Sequence, residues 1–498
     1  MVLPLYAAID LGSNSFHMLI VRELGGAIQT VAKVKRKVQL AAGLDENNRL
    51  DHGAMTRGWQ CLSLFAEQLQ DIAPENLIIV ATATLRQAVN RDEFISKAEQ
   101  ILRHRIRVIS GEEEASIIYR GVACTSSGRG RRLVIDIGGA STELVIGEQN
   151  QTLLLNSLTM GCVTWLKRFF SGNAPLTQRQ FDQATTTAKT LLAPHLSDYR
   201  RLGWQSCIGA SGTVQAVHEI MLAQQMGEPM TLKKLYQLRD QVIACGRFEQ
   251  LQLDGLSIER RSVFPSGLAI LIALCETLKI AEINLAGGAL REGLVCGLLS
   301  QQPSSSVRTK TAESFIKRHH IDPLQAKQVC DYALALAAQI APAFNHHERQ
   351  MLRYAALFHE VGLNIEFKRA PQHAAYIIDH SDLPGFTLEQ KHLVSAILLN
   401  QRGPWQLEAL KSQRAMSFER SLTLTRLLRI AIILSMRRNQ SDPLPISLLQ
   451  EVDDPEHWIL NLPPGWQDDY PLRHTELQDE CNTPPTSDQN LNISEYIA

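Results

Sequence analysis

The sequence predicts an α/β fold made of two structurally related halves, followed by a mostly α-helical region. The halves are predicted by a strand–turn–strand pattern near the start of the chain that returns 126 residues later, from Asp10 to Asp136. The helical region is predicted by a change in periodicity near residue 300, beyond which strand patterns become rare.

The first strand–turn–strand segment runs from Tyr6 to Glu23. Two apolar strands flank Gly12-Ser13-Asn14-Ser15, a turn of small polar residues that lets the backbone approach a ligand closely. Arg132 to Gly147 has the same layout, and the repeat predicts two turns that face each other. Between the segments, the apolar stretch Leu77 to Val80 and the helical pattern Thr56 to Leu69 indicate layered α/β structure.

Beyond these halves, the serine-rich segment Gln301 to Lys310 is typical of a linker. Helical periodicity follows in Leu324 to Ala343, Gln350 to Phe358 and Leu422 to Met436. The last part, about 60 residues with many prolines, predicts a small α+β region with a disordered polar tail. The predicted domains are residues 1–125, 126–300, 301–434 and 435–498.

Composition excludes several classes of protein. Since 50 Lys and Arg residues are balanced by 51 Asp and Glu residues, the chain is not a polybasic nucleic-acid binder. The nine cysteines never form the C-x-x-C spacing of zinc and redox sites. No apolar run approaches the ~20 residues that cross a bilayer. We therefore expect a cytoplasmic protein that binds neither nucleic acid nor membranes.

Small-residue turns after buried strands present the backbone N–H groups and hydroxyls that phosphate oxygens need as donors. One such turn is commonly an ordinary hairpin, but two facing turns make a clamp, and a third turn follows Cys207. The candidate phosphate-binding residues are Gly12, Ser13, Asn14, Ser15, Gly138, Gly139, Ala140, Ser141, Thr142, Gly209 and Ser211. Neither the G-x-G-x-x-G spacing followed by a helix nor a P-loop motif is present.

Carboxylates beside these turns are candidate Mg²⁺ ligands, because Mg²⁺ prefers hard oxygen ligands. Asp136 and Glu143 lie at the two ends of the second turn, and Asp10 occupies the place of Asp136 in the first. Alternatively, Glu143 faces solvent, and Asp10 acts through a metal-bound water.

Ser110 and Glu113 have the spacing of a helix capping box. Glu114 instead shares a helical face with Ile118, so its carboxylate is expected on the packed side, where it could deprotonate a water. Four arginines are candidate partners of phosphate, namely Arg22, Arg86, Arg260 and Arg291. The basic residues Lys33, Lys35, Arg36 and Lys37 either guide a polyanion or form a solvated strand edge, and the strand edge is the favoured interpretation.

The motifs DLGSNSFHM, ATLRQA, SGEEEA, DIGGASTE, GASGT and GGALREG, in this order, resemble the exopolyphosphatase and guanosine pentaphosphate phosphohydrolase (Ppx/GppA) family. The resemblance implies two actin/hexokinase-like domains with the active site between them, and a helical domain derived from histidine-aspartate (HD) phosphohydrolases. It implies Glu114 as the catalytic residue, Asp136 and Glu143 as metal-associated carboxylates, and Arg22 at the nucleotide end of the substrate. A homodimer is implied as well.

Within the family, DIGGAST in place of DIGGGST is closer to the pentaphosphate phosphohydrolases. The predicted reaction is therefore hydrolysis of the 5′-terminal phosphate of guanosine 5′-triphosphate 3′-diphosphate (pppGpp), with Mg²⁺ as cofactor. Alternatives are an exopolyphosphatase, a sugar or acyl kinase of the same fold, and a non-enzymatic alarmone receptor. In the helical region, His359, Glu360, His373 and Asp382 are similar to a histidine-aspartate metal pattern, interpreted as a metal-free relic.

Overall fold

The computed structural model of the chain describes residues 3–25, 27–126, 130–170, 175–227, 229–299, 307–438, 446–451, 456–486 and 489–495. Two compact units are present, Met1–Leu24 with Ile28–Val307, and Gly25–Ala27 with Arg308–Ala498. Residues 301–306 of the predicted linker lie outside the described residues. The four predicted domains divide the chain more finely and stay a prediction.

The first half of the larger unit is a five-stranded sheet in the order β3-β2-β1-β4-β5, with β1 antiparallel to β2 and parallel to β4. Its strands are β1 (Leu5–Leu11), β2 (Ser15–Leu24), β3 (Ala27–Lys37), β4 (Leu77–Ala81) and β5 (Arg107–Val108). Its helices are α1 (His52–Gln68), α2 (Ala83–Gln87), α3 (Arg91–Leu102) and α4 (Gly111–Thr125).

The second half repeats this sheet. Its strand order is β10-β9-β6-β7-β8, with β6 antiparallel to β7 and parallel to β9. Its strands are β6 (Arg131–Ile137), β7 (Thr142–Glu148), β8 (Gln151–Leu158), β9 (Ser206–Gly209) and β10 (Asn284–Leu285). Its helices are α5 (Cys162–Phe169), α6 (Gln178–Leu192), α7 (Leu196–Leu202), α8 (Gly212–Ala223), α9 (Leu232–Cys245), α10 (Phe264–Leu278) and α11 (Leu290–Leu298).

Strand register makes the duplication explicit. Asp10 lies opposite His17 in the first sheet, and Asp136 lies opposite Glu143 in the second, each one pair before the turn. A twice-repeated sheet of this order and direction is the actin/hexokinase-like fold, so the predicted fold class is confirmed.

Two helices from different halves cross at very short range. A Cβ atom on Gly121 of α4 would lie 1.9 Å from the carbonyl oxygen of Ala289, and one on Gly293 of α11 would lie 2.0 Å from that of Ile117. Only glycine lets two helix backbones approach this closely. The crossing holds together the two helices whose first turns contain Glu114 and Arg291.

Helix α10 is the most deeply buried helix of the second half. Thirteen of its fifteen residues are buried, and it packs against α5, α6, α8 and α9. It contains the apolar run from Gly267 to Cys275, and no described helix has the length and apolarity needed to cross a membrane.

The smaller unit is mostly helical, with a three-stranded sheet in the order β11-β12-β13. Its helices are α12 (Val307–Arg318), α13 (Pro323–Ala337), α14 (His346–Phe358), α15 (Ala370–His380), α16 (Leu388–Leu399), α17 (Leu407–Ser412), α18 (Phe418–Leu434), α19 (Trp466–Asp469) and α20 (Pro471–Cys481). Its strands are β11 (Ser447–Gln450), β12 (Trp458–Leu462) and β13 (Leu491–Glu495).

One apolar core joins the helices and the sheet of this unit, from Phe315 through Leu427 to Trp458 and Leu491. The predicted disordered tail is wrong for residues 491–495, because they pair in parallel with β12 and Leu491 enters that core. The helix predicted to run to Ala343 ends earlier, at Ala337. Pro342, which has no backbone N–H, lies shortly beyond.

Candidate active site

Both strand–turn–strand loops line a single cavity of the larger unit. The first turns of α4, α8 and α11 complete its wall, together with a loop that precedes α10. The polar residues that line the cavity include Asp10, Ser13, Asn14, Ser15, His17, Thr82, Glu114, Asp136, Ser141, Glu143, Ser211, Arg260 and Arg291. Gly12, Gly138, Gly139 and Gly212 contribute backbone to it.

The two loops touch each other at this cavity. A Cβ atom on Gly139 would lie 2.9 Å from the Cβ atom of Ser13 and 3.5 Å from the backbone nitrogen of Asn14. The backbone carbonyl of Asn14 accepts hydrogen bonds from the N–H groups of Val38 and Gln39, at 3.1 and 2.8 Å. The loops are therefore held in place around the cavity, with backbone N–H groups and hydroxyls available to an anion.

Three carboxylates lie at the cavity, Glu143 buried and Asp10 and Asp136 half-buried. Burial raises the pKa of Asp10 to about 7, with Arg291 opposing the rise and Asp136 adding to it. Burial likewise raises the pKa of Asp136 to about 6 against the opposing charges of Arg291 and Arg260. Burial and the neighbouring Asp136 raise the pKa of Glu143, which also accepts a 2.8 Å hydrogen bond from Ser157.

Glu114 lies in the first turn of α4, and its side chain is buried, as the helical periodicity predicts. Ser110 caps this helix, since its hydroxyl accepts a 3.0 Å hydrogen bond from the N–H of Glu113. Burial and the charge of Glu143 raise the pKa of Glu114 well above its usual range, and Arg86 opposes the rise. Nη1 of Arg86 lies 3.2 Å from Oε2 of Glu114 and also donates to the carbonyl of Ile109.

Two arginines, Arg260 and Arg291, line the same cavity as these carboxylates. Burial, followed by the charges of Arg291, Lys35, Arg260 and Lys33, lowers the pKa of His17 well below its usual range. The imidazole is therefore neutral and lies in a strongly positive field. Such a field favours the binding of a polyanion.

The cavity fits Mg²⁺ when the ion is held by one or two carboxylates. Within the described ranges, no group of three or more His, Cys, Asp or Glu side chains is arranged to hold a metal ion. Oδ1 of Asp10, however, is buried without a hydrogen-bond partner, and the pKa of Asp136 beside it is raised by burial. Mg²⁺ is usually held by one or two carboxylates together with waters and substrate phosphates, which this arrangement allows.

Residues 19–302 match the sequence model of the Ppx/GppA phosphatase family, and residues 307–481 match that of Ppx/GppA phosphatase domain III. The chain belongs to the Ppx/GppA phosphatase family.

Curated relatives in this family are similar over nearly the whole chain. The guanosine-5'-triphosphate,3'-diphosphate pyrophosphatase of Aeromonas hydrophila subsp. hydrophila is 57% identical over 480 residues, which cover 96% of each chain. The protein of the same name from Aeromonas salmonicida is 57% identical over 478 residues, which cover 95% of this chain and 96% of the relative.

Solved structures share the fold of about 60% of this chain. An exopolyphosphatase from Cytophaga hutchinsonii superposes with a TM-score of 0.55 at 23% identity, covering 60% of this chain and 100% of that one. The Aquifex aeolicus PPX-GPPA enzyme superposes with a TM-score of 0.51 at 22% identity, covering 59% of this chain and 100% of that one. At such identities the likeness concerns the fold.

Several predicted site residues do not line the cavity. Arg86 contacts Glu114 instead, and Arg22 lies near the far end of β2, where its Nε donates a 2.7 Å hydrogen bond to Gln29. Gly209 and Ala140 are buried behind the loops, and the hydroxyl of Thr142 donates to the carbonyl of Met160 at 2.6 Å. The other predicted phosphate-binding residues, together with Arg260, come together in the cavity.

The histidine-aspartate residues of the smaller unit have other partners. Nδ1 of His359 lies 2.7 Å from the carbonyl oxygen of Ala356, and burial lowers the pKa of His359 to about 4. Glu360 forms an ion pair with Arg438, and His373 lies 3.5 Å from Glu366. A packing role for these residues stays a prediction.

His17, Thr82 and Cys162 line the cavity and were not predicted as site residues. The signal for His17 is present in the sequence, because it lies two positions after Ser15 on a strand and side chains two apart share a face. Thr82 and Cys162 lie at turns without such a signal, and only the folded chain brings them to the cavity.

Proposed function

We propose that this protein hydrolyses the 5′-terminal phosphoanhydride of pppGpp to give ppGpp and phosphate, in the cytoplasm and as part of the stringent response. The observation that carries the proposal is a buried Glu114 that faces two phosphate-binding loops within one cavity. The names of the two 57% identical relatives support the same substrate. The protein would act as a homodimer.

The phosphate chain of the substrate binds between the two strand–turn–strand loops. Backbone N–H groups of Gly12 to Ser15 and Gly139 to Ser141 donate to the terminal phosphate, and their fixed positions require no reorganisation during the reaction. Arg260 and Arg291 neutralise the phosphates that lie toward the nucleotide. The loops and arginines thus orient the terminal phosphorus toward Glu114.

Glu114 accepts the proton of the attacking water. Its carboxylate needs to be ionised for this role, and Arg86 favours the ionised form by charge and by a hydrogen bond. Water oxygen forms the new bond to the terminal phosphorus, and the bond to the bridging oxygen breaks. The electron pair of that bond stays on the bridging oxygen, which leaves as part of ppGpp.

Asp10, Asp136 and Glu143 are the residues that would hold Mg²⁺. A bound Mg²⁺ supplies charge neutralisation for the phosphate oxygens in the transition state. We expect phosphate release to require Mg²⁺ and to stop when a chelator removes it.

Release of inorganic phosphate from pppGpp and from long-chain polyphosphate, measured side by side with Mg²⁺, tests the proposal. We expect faster release from pppGpp by the wild type. Glu114→Gln should reduce turnover by roughly 10²-fold or more while leaving KM nearly unchanged, because the amide cannot accept the proton. Glu112→Gln is the matched control, since Glu112 is an exposed glutamate on the same helix turn.

Exopolyphosphatase activity is the second candidate. Lys33 and Lys35 favour it, because their charges act on His17 of the cavity, although each also forms an ion pair, with Glu292 and Glu259 respectively. Faster release from polyphosphate would favour it over the proposed reaction. Binding of pppGpp without any phosphate release would instead indicate a receptor.

A further inference from the structure

Gly212 leaves a space that the side chain of Arg260 fills. A Cβ atom built on Gly212 would lie 1.6 Å from Nη2, 2.2 Å from Cζ and 2.6 Å from Nη1 of Arg260. Since real side chains do not approach this closely, the guanidinium occupies the volume that any other residue at 212 would need. This contact limits where the cation can lie.

The backbone of Arg260 is held by a turn before α10. Its N–H donates to the carbonyl of Ser257 at 3.0 Å, and its carbonyl accepts from the N–H groups of Val263 and Phe264 at 3.1 and 2.9 Å. Earlier in the same loop, a Cβ atom on Gly255 would lie 2.4 Å from the carbonyl oxygen of Glu219 in α8. The loop is therefore packed against α8 near both ends of that helix.

The place where the guanidinium lies is electrostatically suited to an anion. Ser211 caps α8 through a 3.4 Å hydrogen bond from the N–H of Val214, and the start of a helix carries a partial positive charge. Arg260 adds a full positive charge beside it and, among the described residues, its side chain has no ion-pair partner. A helix start and a guanidinium side by side favour the binding of an anion between them.

Arg260 and Arg86 act on different residues of the cavity. Arg86 contacts Glu114 directly, whereas Arg260 acts on Asp136 and His17. If the terminal phosphate faces Glu114, the remaining phosphates lie toward Arg260. A cation there stabilises the charge that develops on the departing phosphate in the transition state.

We propose that Gly212 is a positioning residue. Because it has no side chain, the Arg260 guanidinium can lie against the start of α8, where the guanidinium binds the phosphates that stay with the nucleotide. The inference rests on the proposed function for the identity of the nucleotide. Gly212 would then affect substrate binding only through the position of Arg260.

Kinetics of Gly212→Ala, Arg260→Ala and the double variant test the inference. For phosphate release from pppGpp we expect each single variant to lower kcat/KM by about tenfold or more, which corresponds to the loss of one charge-assisted contact. The double variant should be no worse than Arg260→Ala, because the added methyl group then has no guanidinium to displace. Gly53→Ala in the first turn of α1 is the matched control, since its Cβ atom would have no neighbour closer than 3.2 Å.

A second readout does not depend on activity. Inorganic triphosphate should raise the thermal midpoint of the wild type and of Gly53→Ala, and should raise that of Gly212→Ala and Arg260→Ala much less. If wild type released no phosphate from pppGpp, the proposed function would fail, while the triphosphate shifts would still decide the role of Gly212.

Two results would overturn the inference. One is unchanged kinetics and triphosphate binding in Gly212→Ala. The other is a full additional loss in the double variant, since the methyl group would then act independently of Arg260. Should Gly212→Ala fail to fold, the double variant must fold again, because the clash is with the Arg260 side chain; continued failure would refute the contact.

Discussion

At the scale of single residues, the ion pair between Arg86 and Glu114 decides how the cavity can work. A buried carboxylate is a poor base when it is protonated, and burial favours the protonated form of Glu114. Arg86, 3.2 Å away, opposes this effect. In the proposed reaction Arg86 would therefore assist Glu114 without lining the cavity.

We expect Arg86→Gln to reduce the rate of phosphate release at neutral pH. The reduction should be a fraction of the ~10²-fold that a positioned general base contributes. Without the guanidinium the pKa of Glu114 rises further, so the acid limb of the pH–rate profile should move to higher pH. Activity should recover partly in alkaline buffer. A pH–rate profile for kcat/KM checks this.

Arg107→Gln is the matched control, because Arg107 forms an exposed ion pair with Glu113 on the same helix. Its profile should coincide with that of the wild type. An unshifted acid limb in Arg86→Gln would rule out the assigned role of Arg86.

At the scale of elements, the crossing of α4 and α11 positions residues from both halves. The atoms that a Cβ on Gly293 would meet are backbone atoms of α4, which cannot move aside as a side chain can. Displacement of α4 would also displace Glu114. The glycines of this crossing are therefore expected to matter for both stability and activity.

We expect Gly293→Ala to lower the free energy of unfolding by about 1–3 kcal/mol or more, the usual cost of overpacking. Gly297→Ala is the control on the same helix, since its Cβ would meet only Nη1 of Arg120, at 2.8 Å, at the end of a flexible side chain. Urea unfolding of both variants checks the difference. Equal destabilisation by the two substitutions would contradict the explanation.

At the scale of the whole molecule, each unit has an apolar core of its own. In the smaller unit, Arg429 pairs with Glu480 at 2.6 and 2.7 Å, and both side chains are at most 10% exposed. Removal of one partner from a buried pair typically costs about 3–5 kcal/mol, because a charge is left buried alone.

We expect calorimetry to resolve two unfolding transitions. Arg429→Met should lower the midpoint of one, and Gly293→Ala should lower that of the other. Lys327→Met, which removes an exposed ion pair with Asp331, should move neither by more than a degree or so. A single transition that both variants shift equally would show that the units unfold together.

Sequence patterns predicted the features of this molecule that depend on residues close together in the chain. The turns at Gly12 and Gly138 follow from a strand and a run of small residues, and the burial of Glu114 follows from helical periodicity. The contacts of Arg86 with Glu114 and of Arg260 with Gly212 join residues 28 and 48 positions apart, which no local pattern encodes. The strand at residues 491–495 was missed because a short polar tail gains its strand structure from pairing with β12.

All but two residues of helix α10 are buried, and this has a consequence for how the chain is made. While residues 264–278 leave the ribosome, the strands and helices that cover them in the finished protein have already been synthesised, because α5, α6, α8 and α9 all precede them. The segment can therefore be sheltered as soon as it emerges. If the chain were reordered so that this segment came first, the apolar helix would stay exposed and prone to aggregation until synthesis ended.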